Sequence, residues 1–190
     1  NDTRFIKSMI QGGLKDLSVT GTCFEYGMVE GKLSESMITN PANPYGMAKD
    51  TLRKLIQSLT SHVFSYKWLR LFYMYGPGQS PGSLIAQIDQ AVARGDREFN
   101  MSGGEQVRDF QHINIVAKQI VACSLQKRVE GVINCCSGVP ITVKNFVDNY
   151  LLENHYQLQL NLGVHSYPDY EPMIFWGDKT KLDEIISNEK

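Results

Sequence analysis

The spacing of hydrophobic residues predicts alternating helices and strands from the start of the chain. Apolar residues recur at helical spacing within residues 1–11, and Gly12-Gly13 then ends this helix. Residues 17–22 predict a buried strand. The polar stretch that follows, up to Pro44, contains several turn-forming residues and predicts a long loop, which at this length is usually functional.

The next predicted helix has a well-defined start. Asn43 is a suitable N-cap residue, and Pro44 suits the first helical position. The apolar stripe of this helix is expected to contain its leucine and isoleucine residues together with Tyr45, Ala48 and Lys49. We therefore expect Tyr45 and Lys49 to face the interior of the fold.

Strands and helices continue to alternate beyond this point. The predicted elements are a strand over 63–72, a helix over 83–93 that Gly95 ends, a strand over 107–113, a helix that Asn114 caps and that reaches about residue 126, a strand over 132–136 and a helix over 142–152. Strands separated by helices predict a mostly parallel sheet that is covered on both faces.

The composition is that of an ordinary folded domain. A chain of 190 residues is long enough for one domain with a hydrophobic core, and its 42% hydrophobic residues argue against disorder. The formal net charge is -1, so no bulk field attracts nucleic acid or an anionic membrane. An anionic ligand must therefore be held by a local site.

The cysteines and histidines do not form a metal-binding or disulfide pattern. The cysteines have neither CxxC spacing nor a histidine close in sequence (Cys23, Cys123, Cys135 and Cys136). The histidines are scattered, and we assign them no metal and no catalytic role (His62, His112, His155 and His165). No apolar run approaches the roughly 18 residues that span a bilayer. These features favour the reducing cytoplasm and exclude a membrane anchor within this sequence.

Tyr45 and Lys49 stand four residues apart, on one face of the predicted helix. At this spacing the ammonium group can act on the phenol and lower its pKa from the ordinary value of about 10 toward neutrality. Such a tyrosine can pass a proton to a substrate oxygen. The alternative is an exposed pair without function, and the spacing alone does not decide between the two.

Six features of the sequence occur in an order typical of one enzyme family. They are residues 21–27 (GTCFEYG), Glu35, residues 43–49 (NPYGMAK), 69–79 (LRLFYMYGPGQ), 104–110 (GEQVRDF) and 133–138 (INCCSG). Together they resemble the extended short-chain dehydrogenases/reductases, in particular the NAD-dependent sugar-nucleotide epimerase/dehydratase family. The resemblance implies an α/β fold with a Rossmann-type, doubly wound parallel sheet that is incomplete on its N-terminal side, and a smaller α/β C-terminal substrate lobe.

The resemblance also implies how the chain is divided. Residues 1–75, with 114–136 returning to them, would form the rest of a dinucleotide-binding domain. Residues 76–113 and 137–190 would form the substrate-binding lobe. The implied cofactor is NAD or NADP, and the implied partner is a nucleotide-sugar substrate.

The glycine-rich loop that cradles the cofactor's pyrophosphate in this family is not found in these 190 residues. Gly12-Gly13 and Gly103-Gly104 lack both its spacing and its position between a strand and a helix. We therefore expect the sequence to be part of a longer enzyme; a truncated product that binds NAD(P) poorly is the alternative.

Individual residues receive roles from the resemblance. The implied catalytic residues are Thr22, Tyr45 and Lys49; the implied cofactor-binding residues are Tyr45, Lys49 and Phe72; and the implied substrate-binding residues are Phe24, Tyr73, Gln106 and Arg108. The planar guanidinium of Arg108 suits a diphosphate.

Each of these roles has a simpler alternative or a departure from the family. Thr22 could merely satisfy the backbone at a strand end. Arg108 could form a surface ion pair with Asp109. Tyr73 stands where an asparagine commonly contacts the substrate, so the resemblance leaves the sugar pocket open.

Residues 23–25 argue against one activity of the family. Its 4,6-dehydratases carry an acidic pair where this chain has Cys23 and Phe24, and neither side chain can shuttle the proton that water elimination requires. Glu25, one residue further on, points elsewhere if the segment is extended. We therefore expect no dehydratase activity.

The favoured function is that of a keto-sugar reductase on a nucleotide-linked sugar, with a nucleotide-sugar epimerase as the alternative. A non-catalytic relative, or a fragment that folds only with a partner, belongs to a different class of hypothesis. The family implies a homodimer through the helices near 2–12 and 43–60. The resemblance also implies a setting, which is the synthesis of bacterial surface-polysaccharide precursors.

Overall fold

The computed structural model describes residues 2–59 and 64–187, apart from the side chain of Asp2. Within these residues the helices are α1 (Asp2–Gln11), α2 (Pro44–Leu59), α3 (Leu84–Arg94), α4 (Ile113–Leu125), α5 (Val143–Glu153) and α6 (Thr180–Ser187). The strands are β1 (Asp16–Thr22), β2 (Gly31–Leu33), β3 (Ser65–Leu71), β4 (Tyr73–Tyr75), β5 (Glu98–Asn100), β6 (Val107–Arg108), β7 (Phe110–His112), β8 (Gly131–Cys135), β9 (Ile141–Thr142), β10 (Gln159–Asn161) and β11 (Phe175–Gly177). A 3₁₀ turn (Cys23–Tyr26) directly follows β1.

A parallel three-stranded sheet, in the order β1-β3-β8, positions the rest of the fold. Thr22 pairs with Leu71, and Leu71 pairs with Cys135, so the three strands end level with one another. Parallel neighbours need long crossovers, and α2 and α4 supply them. The predicted parallel sheet is therefore confirmed.

Helices cover both faces of this sheet because successive side chains of a strand point to opposite sides. Trp68 of β3 packs with Ile6 of α1 and Ile56 of α2. Leu69, the next residue, packs on the other face with Leu182 of α6. The chain therefore has the predicted α/β architecture, with a doubly covered parallel sheet.

A separate hydrophobic core lies between α3 and α5. Ile88 and Val147 are fully buried in it, and β5 and β10 pair in parallel beside it. In contrast, α6 packs on the three-stranded sheet through Leu182 and Ile185, although the predicted boundaries assign it to the substrate lobe. The division into two domains stays a prediction.

Three pairs of short strands connect these parts. The pairs are β4 with β7 and β2 with β11, both parallel, and β6 with β9, which is antiparallel. Through the first pair, Tyr73 lies beside Phe110, directly beyond the carboxyl end of β3. The pairing thus fixes the position of one predicted substrate-binding residue.

Helix boundaries agree with the sequence in two cases and differ in a third. Asn43 caps α2, its side-chain oxygen accepting a hydrogen bond from the Gly46 amide at 2.8 Å. Gly95 ends α3 in the left-handed conformation, with φ of 78°. The cap of α4 is His112, whose Nδ1 accepts from the Asn114 amide at 3.2 Å, so the prediction that Asn114 is the cap is wrong.

Two predicted segments are more broken than expected. The strand over 107–113 is split into β6 and β7 at Asp109, whose buried carboxylate accepts hydrogen bonds from the amides of Ser137, Gly138 and Gly177. The predicted loop after β1 contains the 3₁₀ turn and β2. His62 and the predicted strand start at residue 63 lie outside the described residues.

The buried face of α2 matches the prediction only in part, because Ile56 is buried as expected and Tyr45 is not. Gly46, Asp50, Arg53 and Ile56 are buried, whereas Tyr45 is 55% exposed. Asp50 and Arg53 can be buried because they pair with each other at 2.7 Å. The expectation that Tyr45 faces the interior is therefore wrong. The first buried residue of α2 is Gly46, the next residue along the chain, which points about 100° away from Tyr45 around the helix axis.

Candidate functional site

Thr22 ends β1 and caps the 3₁₀ turn that follows. Its side-chain oxygen accepts a hydrogen bond from the Phe24 amide at 3.3 Å, and its own amide donates to Glu25 Oε1 at 2.9 Å. The two contacts form a capping box. Because a hydroxyl that accepts one bond still carries its own hydrogen, Thr22 satisfies the backbone and can also donate to a ligand.

The first turn of α2 packs directly on the 3₁₀ turn. A Cβ on Gly46 would lie 2.7 Å from the carbonyl oxygen of Phe24, so only glycine allows this approach. The ring of Tyr45 consequently stands edge-on to that of Phe24, with 6.5 Å between centroids. This packing brings the helix that carries Tyr45 next to the strand that carries Thr22.

A cavity of about 230 Å³ opens at the carboxyl ends of β1 and β3. Its walls are Gly21, Thr22, Cys23, Phe24, Tyr45, Leu71, Phe72, Tyr73 and Met74. Five of the predicted site residues therefore meet around one cavity, although they come from β1, the 3₁₀ turn, α2 and the β3–β4 segment. Ligands of parallel α/β sheets usually bind at these carboxyl ends.

Lys49 lies beside this cavity but does not act on the phenol as predicted. Its Nζ donates to the carbonyl oxygen of Thr20 at 2.8 Å and is 6.0 Å from the centroid of the Tyr45 ring. Burial raises the pKa of Tyr45 above its ordinary value, and the neighbouring side chains of Cys23 and Glu25 raise it further. The expected lowering of this pKa is therefore not found in the structure.

A larger cavity, of about 490 Å³, adjoins the first one, because Tyr73 and Met74 line both. Gln106 and Arg108 line the larger cavity. Within the described residues, Nε2 of the buried Gln106 has no hydrogen-bond partner, so it can serve a polar ligand. The predicted substrate-binding residues thus border two adjacent cavities.

Arg108 is buried and pairs inside the protein, 1% of the residue being exposed. Its Nη2 lies 3.0 Å from Glu171 Oε2, and its Nη1 donates to the carbonyl oxygens of Val107 and Met173. Asp109 is not its partner, so the alternative of a surface ion pair with Asp109 is wrong. The sequence analysis did not identify Glu171, which lies 63 positions further along the chain.

Tyr73 contacts the same carboxylate oxygen as Arg108. Its hydroxyl donates to Glu171 Oε2 at 2.7 Å. Burial raises the pKa of Tyr73 well above its ordinary value, and the neighbouring side chains of Cys23 and Glu171 raise it further, so the phenol keeps its proton. Tyr73, Glu171 and Arg108 therefore form one polar cluster at the wall of the larger cavity, and Tyr73 also lines the smaller one.

Glu25 is the second functional candidate that the sequence analysis missed. The segment is a 3₁₀ turn rather than extended, and it directs Glu25 into the core, where none of its surface is exposed. Its carboxylate accepts hydrogen bonds from Trp68 and Arg70 as well as from Thr22. The spacing of Thr22 and Glu25, which is that of a capping box, is the sequence signal that identifies this turn.

Metal and membrane sites were searched over residues 2–59 and 64–187. No group of three or more histidine, cysteine, aspartate or glutamate residues there could hold a metal ion. In the same part of the chain, no helix is both long and apolar enough to cross a membrane. The four cysteines are buried as thiols.

Comparison with known proteins identifies relatives of the chain. The sequence profile of the NAD dependent epimerase/dehydratase family matches residues 2–162. The dTDP-6-deoxy-L-talose 4-dehydrogenase (NAD(+)) of Aggregatibacter actinomycetemcomitans is 31% identical over 178 residues, which cover 93% of this chain and 66% of the relative. The chain therefore spans slightly less than two thirds of this relative.

Solved structures share the fold. MoeE5 in complex with UDP-glucuronic acid and NAD is 24% identical with a TM-score of 0.84, over 97% of this chain and 62% of MoeE5. A UDP-N-acetylglucosamine 4-epimerase from Methanobrevibacter ruminantium, in complex with UDP-N-acetylmuramic acid, is 23% identical with a TM-score of 0.84, over 95% of this chain and 60% of the epimerase. At these identities the likeness shows the fold, which is Rossmann-type.

Proposed function

Because the chain belongs to the NAD dependent epimerase/dehydratase family, we propose that it is part of an NAD(P)-dependent oxidoreductase that reduces a keto group of a nucleotide-linked sugar. The observation that carries this proposal is the meeting of Thr22, Tyr45 and Phe72 around one cavity at the carboxyl ends of the parallel strands. The relative named as a 4-dehydrogenase supports oxidation or reduction at sugar C4. A dTDP-linked 4-keto-6-deoxy sugar is accordingly the first substrate to test.

The residues around the cavity suit the nicotinamide end of the cofactor. Phe72 and Leu71 give the cavity an apolar wall, which fits a flat ring. Tyr45 and Lys49 place a hydroxyl and an ammonium group beside it, and these would hold the ribose. NAD(P), when bound, supplies the hydride that reduces the sugar carbonyl.

Tyr45 is the proposed proton donor. Its raised pKa keeps the phenol protonated at neutral pH, so it can give the proton to the carbonyl oxygen as that oxygen gains negative charge. The Thr22 hydroxyl would donate a hydrogen bond to the same oxygen and orient it. After the transfer, the positive charge of Lys49 would stabilise the phenolate of Tyr45.

The region that would handle water elimination favours reduction over dehydration. Cys23 is buried, and burial raises the pKa of its thiol to about 12, so it stays neutral at physiological pH. Phe24 has no proton to exchange. The chain therefore offers no proton shuttle at the two positions where dehydratases of the family carry acids.

The nucleotide half of the substrate would lie in the larger cavity, with Gln106, Arg108 and Tyr73 as its contacts and the sugar near Phe24.

We further propose that the enzyme works in the cytoplasm, in the synthesis of surface-polysaccharide precursors. Homodimerization through α1 and α2 belongs to the same proposal. It is supported by a groove between these helices lined by Thr3, Tyr45 and neighbouring residues, and by the exposed ring of Phe5.

A spectrophotometric assay tests the proposal. The whole protein is mixed with NADH or NADPH and a dTDP-linked 4-keto-6-deoxy sugar, and the nicotinamide absorbance is followed. We expect cofactor oxidation, and a decrease in kcat of about 10²- to 10⁴-fold in Tyr45→Phe. Tyr156→Phe, in the core between α3 and α5, is the matched control and should keep full activity.

Two other outcomes would contradict a reductase. Interconversion of sugar epimers without net cofactor oxidation would show an epimerase. Full activity in Tyr45→Phe would exclude the proposed proton transfer.

A further inference from the structure

Glu25 has no exposed surface, and each of its oxygens has partners within the protein. Oε1 accepts hydrogen bonds from the Thr22 amide at 2.9 Å and from Trp68 Nε1 at 2.8 Å. Oε2 accepts from Arg70 Nε at 2.8 Å. One carboxylate therefore ties the end of β1 to two residues of β3.

The same carboxylate also reaches α2. Arg53 Nε lies 3.6 Å from Glu25 Oε2, while its Nη2 donates to Asp50 at 2.7 Å. Arg53 is one helical turn beyond Lys49 and about two turns beyond Tyr45, on the same helix. Glu25 thus contacts β1, which carries Thr22, as well as β3 and α2, which carries Tyr45.

The surrounding backbone accommodates this carboxylate. A Cβ on Gly21 would overlap both Glu25 Oε1 and the indole nitrogen of Trp68. The residue before Thr22 must therefore be glycine for the carboxylate to approach the Thr22 amide. Gly21 leaves the space that this hydrogen bond needs, so the backbone position of Thr22 is closely determined.

Stability alone does not account for a buried carboxylate here. Taking ions out of water costs most of what their attraction returns, and apolar residues of similar volume are often as stable. What the carboxylate adds is direction, because its lone pairs point at particular donors. In this fold its partners lie on β1, which carries Thr22, on the neighbouring β3, and on α2, which carries Tyr45.

We propose that Glu25 is a positioning residue, which holds the Thr22 backbone directly and α2 through Arg53, so that the Thr22 hydroxyl and the Tyr45 phenol face the same cavity. This inference rests on the proposed function of Thr22 and Tyr45. Glu25 itself lies in the core and does not border either cavity at the site.

The charge of Glu25 gives the inference a second consequence. Burial is the largest factor that raises the pKa of Tyr45, and the negative charge of Glu25 also contributes. Among the described residues, Lys49 also lies beside the phenol, with its ammonium group 6.0 Å from the ring centroid. Removing the charge at position 25 should therefore lower the pKa of Tyr45.

Two substitutions separate the effect of the length of the Glu25 side chain from the effect of its charge. Glu25→Asp keeps the charge but is one methylene too short to hold Thr22 and Arg70 together, and Glu25→Gln keeps the length but removes the charge. We expect Glu25→Asp to lower kcat about 10- to 100-fold with little change in KM, because small misplacements of reacting groups cost this much. Glu25→Gln should in addition move the pH profile of kcat to lower pH.

Asp16→Asn is the matched control. Asp16 pairs with the buried Lys67 at 2.8 Å at the opposite end of β1, so its loss also breaks an ion pair of the sheet. It should lower the thermal unfolding midpoint, as the Glu25 variants do, but leave kcat unchanged. If Glu25→Asp lowers only the midpoint and keeps kcat within about twofold, the positioning role is overturned.

Two NMR measurements on the full chain decide the inference independently of turnover. Hydrogen exchange at the Thr22 amide should be faster in Glu25→Asp than in the unmodified chain, and a ¹³C-tyrosine titration should give a lower Tyr45 pKa in Glu25→Gln. Unchanged values for both would overturn the inference. If the protein shows no reductase activity while both readouts shift, the proposed function fails and the positioning by Glu25 stands.

Discussion

At the residue scale, Arg108 donates hydrogen bonds to acceptors inside the protein, and this affects its proposed role in binding the nucleotide half of the substrate. The guanidinium donates to two carbonyl oxygens and to Glu171, and its carbon lies 4.5 Å from the centroid of the Phe175 ring. These contacts fix its orientation at the wall of the larger cavity. A diphosphate bound there would compete with Glu171 for the same positive charge.

Glu171→Gln should therefore tighten the binding of a nucleoside diphosphate such as dTDP. The amide removes a negative charge beside the cavity, and a relief of about 1 kcal/mol would lower Kd about fivefold. Isothermal titration calorimetry measures this change. Arg108→Lys is the opposing variant and should weaken binding, since a lysine cannot reproduce the fork of donors.

The opposite outcome is equally clear. Weaker binding of dTDP to Glu171→Gln would mean that Glu171 serves to orient Arg108. The proposal that it competes with the diphosphate would then be wrong.

At the scale of elements, the start of α2 matters because the first two turns of this helix carry both Tyr45 and Lys49. Asn43 accepts a hydrogen bond from the Gly46 amide, one of the donors that every helix leaves without an internal partner. Gly46 in turn packs on the carbonyl oxygen of Phe24. The cap, the helix start and the 3₁₀ turn therefore form one contiguous unit.

Asn43→Ala should destabilise the chain by about 1 kcal/mol, because the Gly46 amide loses its acceptor. Urea denaturation measures the loss as a lower free energy of unfolding. Asn43→Asp is the matched control: it keeps the acceptor and adds a charge that the helix N-terminus favours, so it should retain the stability of the unmodified chain. Equal stabilities of the alanine and aspartate variants would show that the cap contributes nothing.

At the scale of the whole molecule, ion pairs hold together parts of the fold that are distant in sequence. Asp16 at the start of β1 pairs with Lys67 of β3 and with Lys127, which follows α4. Burial raises the pKa of Asp16, but hydrogen bonds from Lys127 and Lys67 lower it by more, so the pKa lies below its ordinary value. Burial also raises the pKa of Asp50, but hydrogen bonds from Lys54 and Arg53 lower it by more, so this pKa too lies below its ordinary value.

This electrostatic arrangement predicts sensitivity to acid. Because the folded-state pKa of Asp16 lies below the unfolded value of about 3.9, its ion pairs stabilise the protein above that pH and lose their contribution as the pH falls through the folded value. We expect the free energy of unfolding, measured with urea at a series of pH values, to decrease below about pH 4. The decrease should be smaller in Asp16→Asn, and equal slopes in the two proteins would contradict this origin.

The sequence by itself determined the order of the elements and the components of the candidate site. The cap at Asn43 and the end of α3 at Gly95 were predictable because caps depend on residues within one turn. Alternating strands and helices required a parallel sheet, and such a sheet brings the ends of its strands to one edge. That geometry explains why Thr22 and Phe72 meet at one cavity as the resemblance implied.

Only the tertiary structure decided which buried charges meet and which side of α2 is covered. Glu25 pairs with Arg70, 45 positions away, and Arg108 with Glu171, 63 positions away. Periodicity describes neighbours within a few residues, so it could neither find these partners nor show that a paired Asp50 and Arg53 would take the buried face from Tyr45. The physical reason is that a charge is tolerated in a core only where the fold supplies its partner.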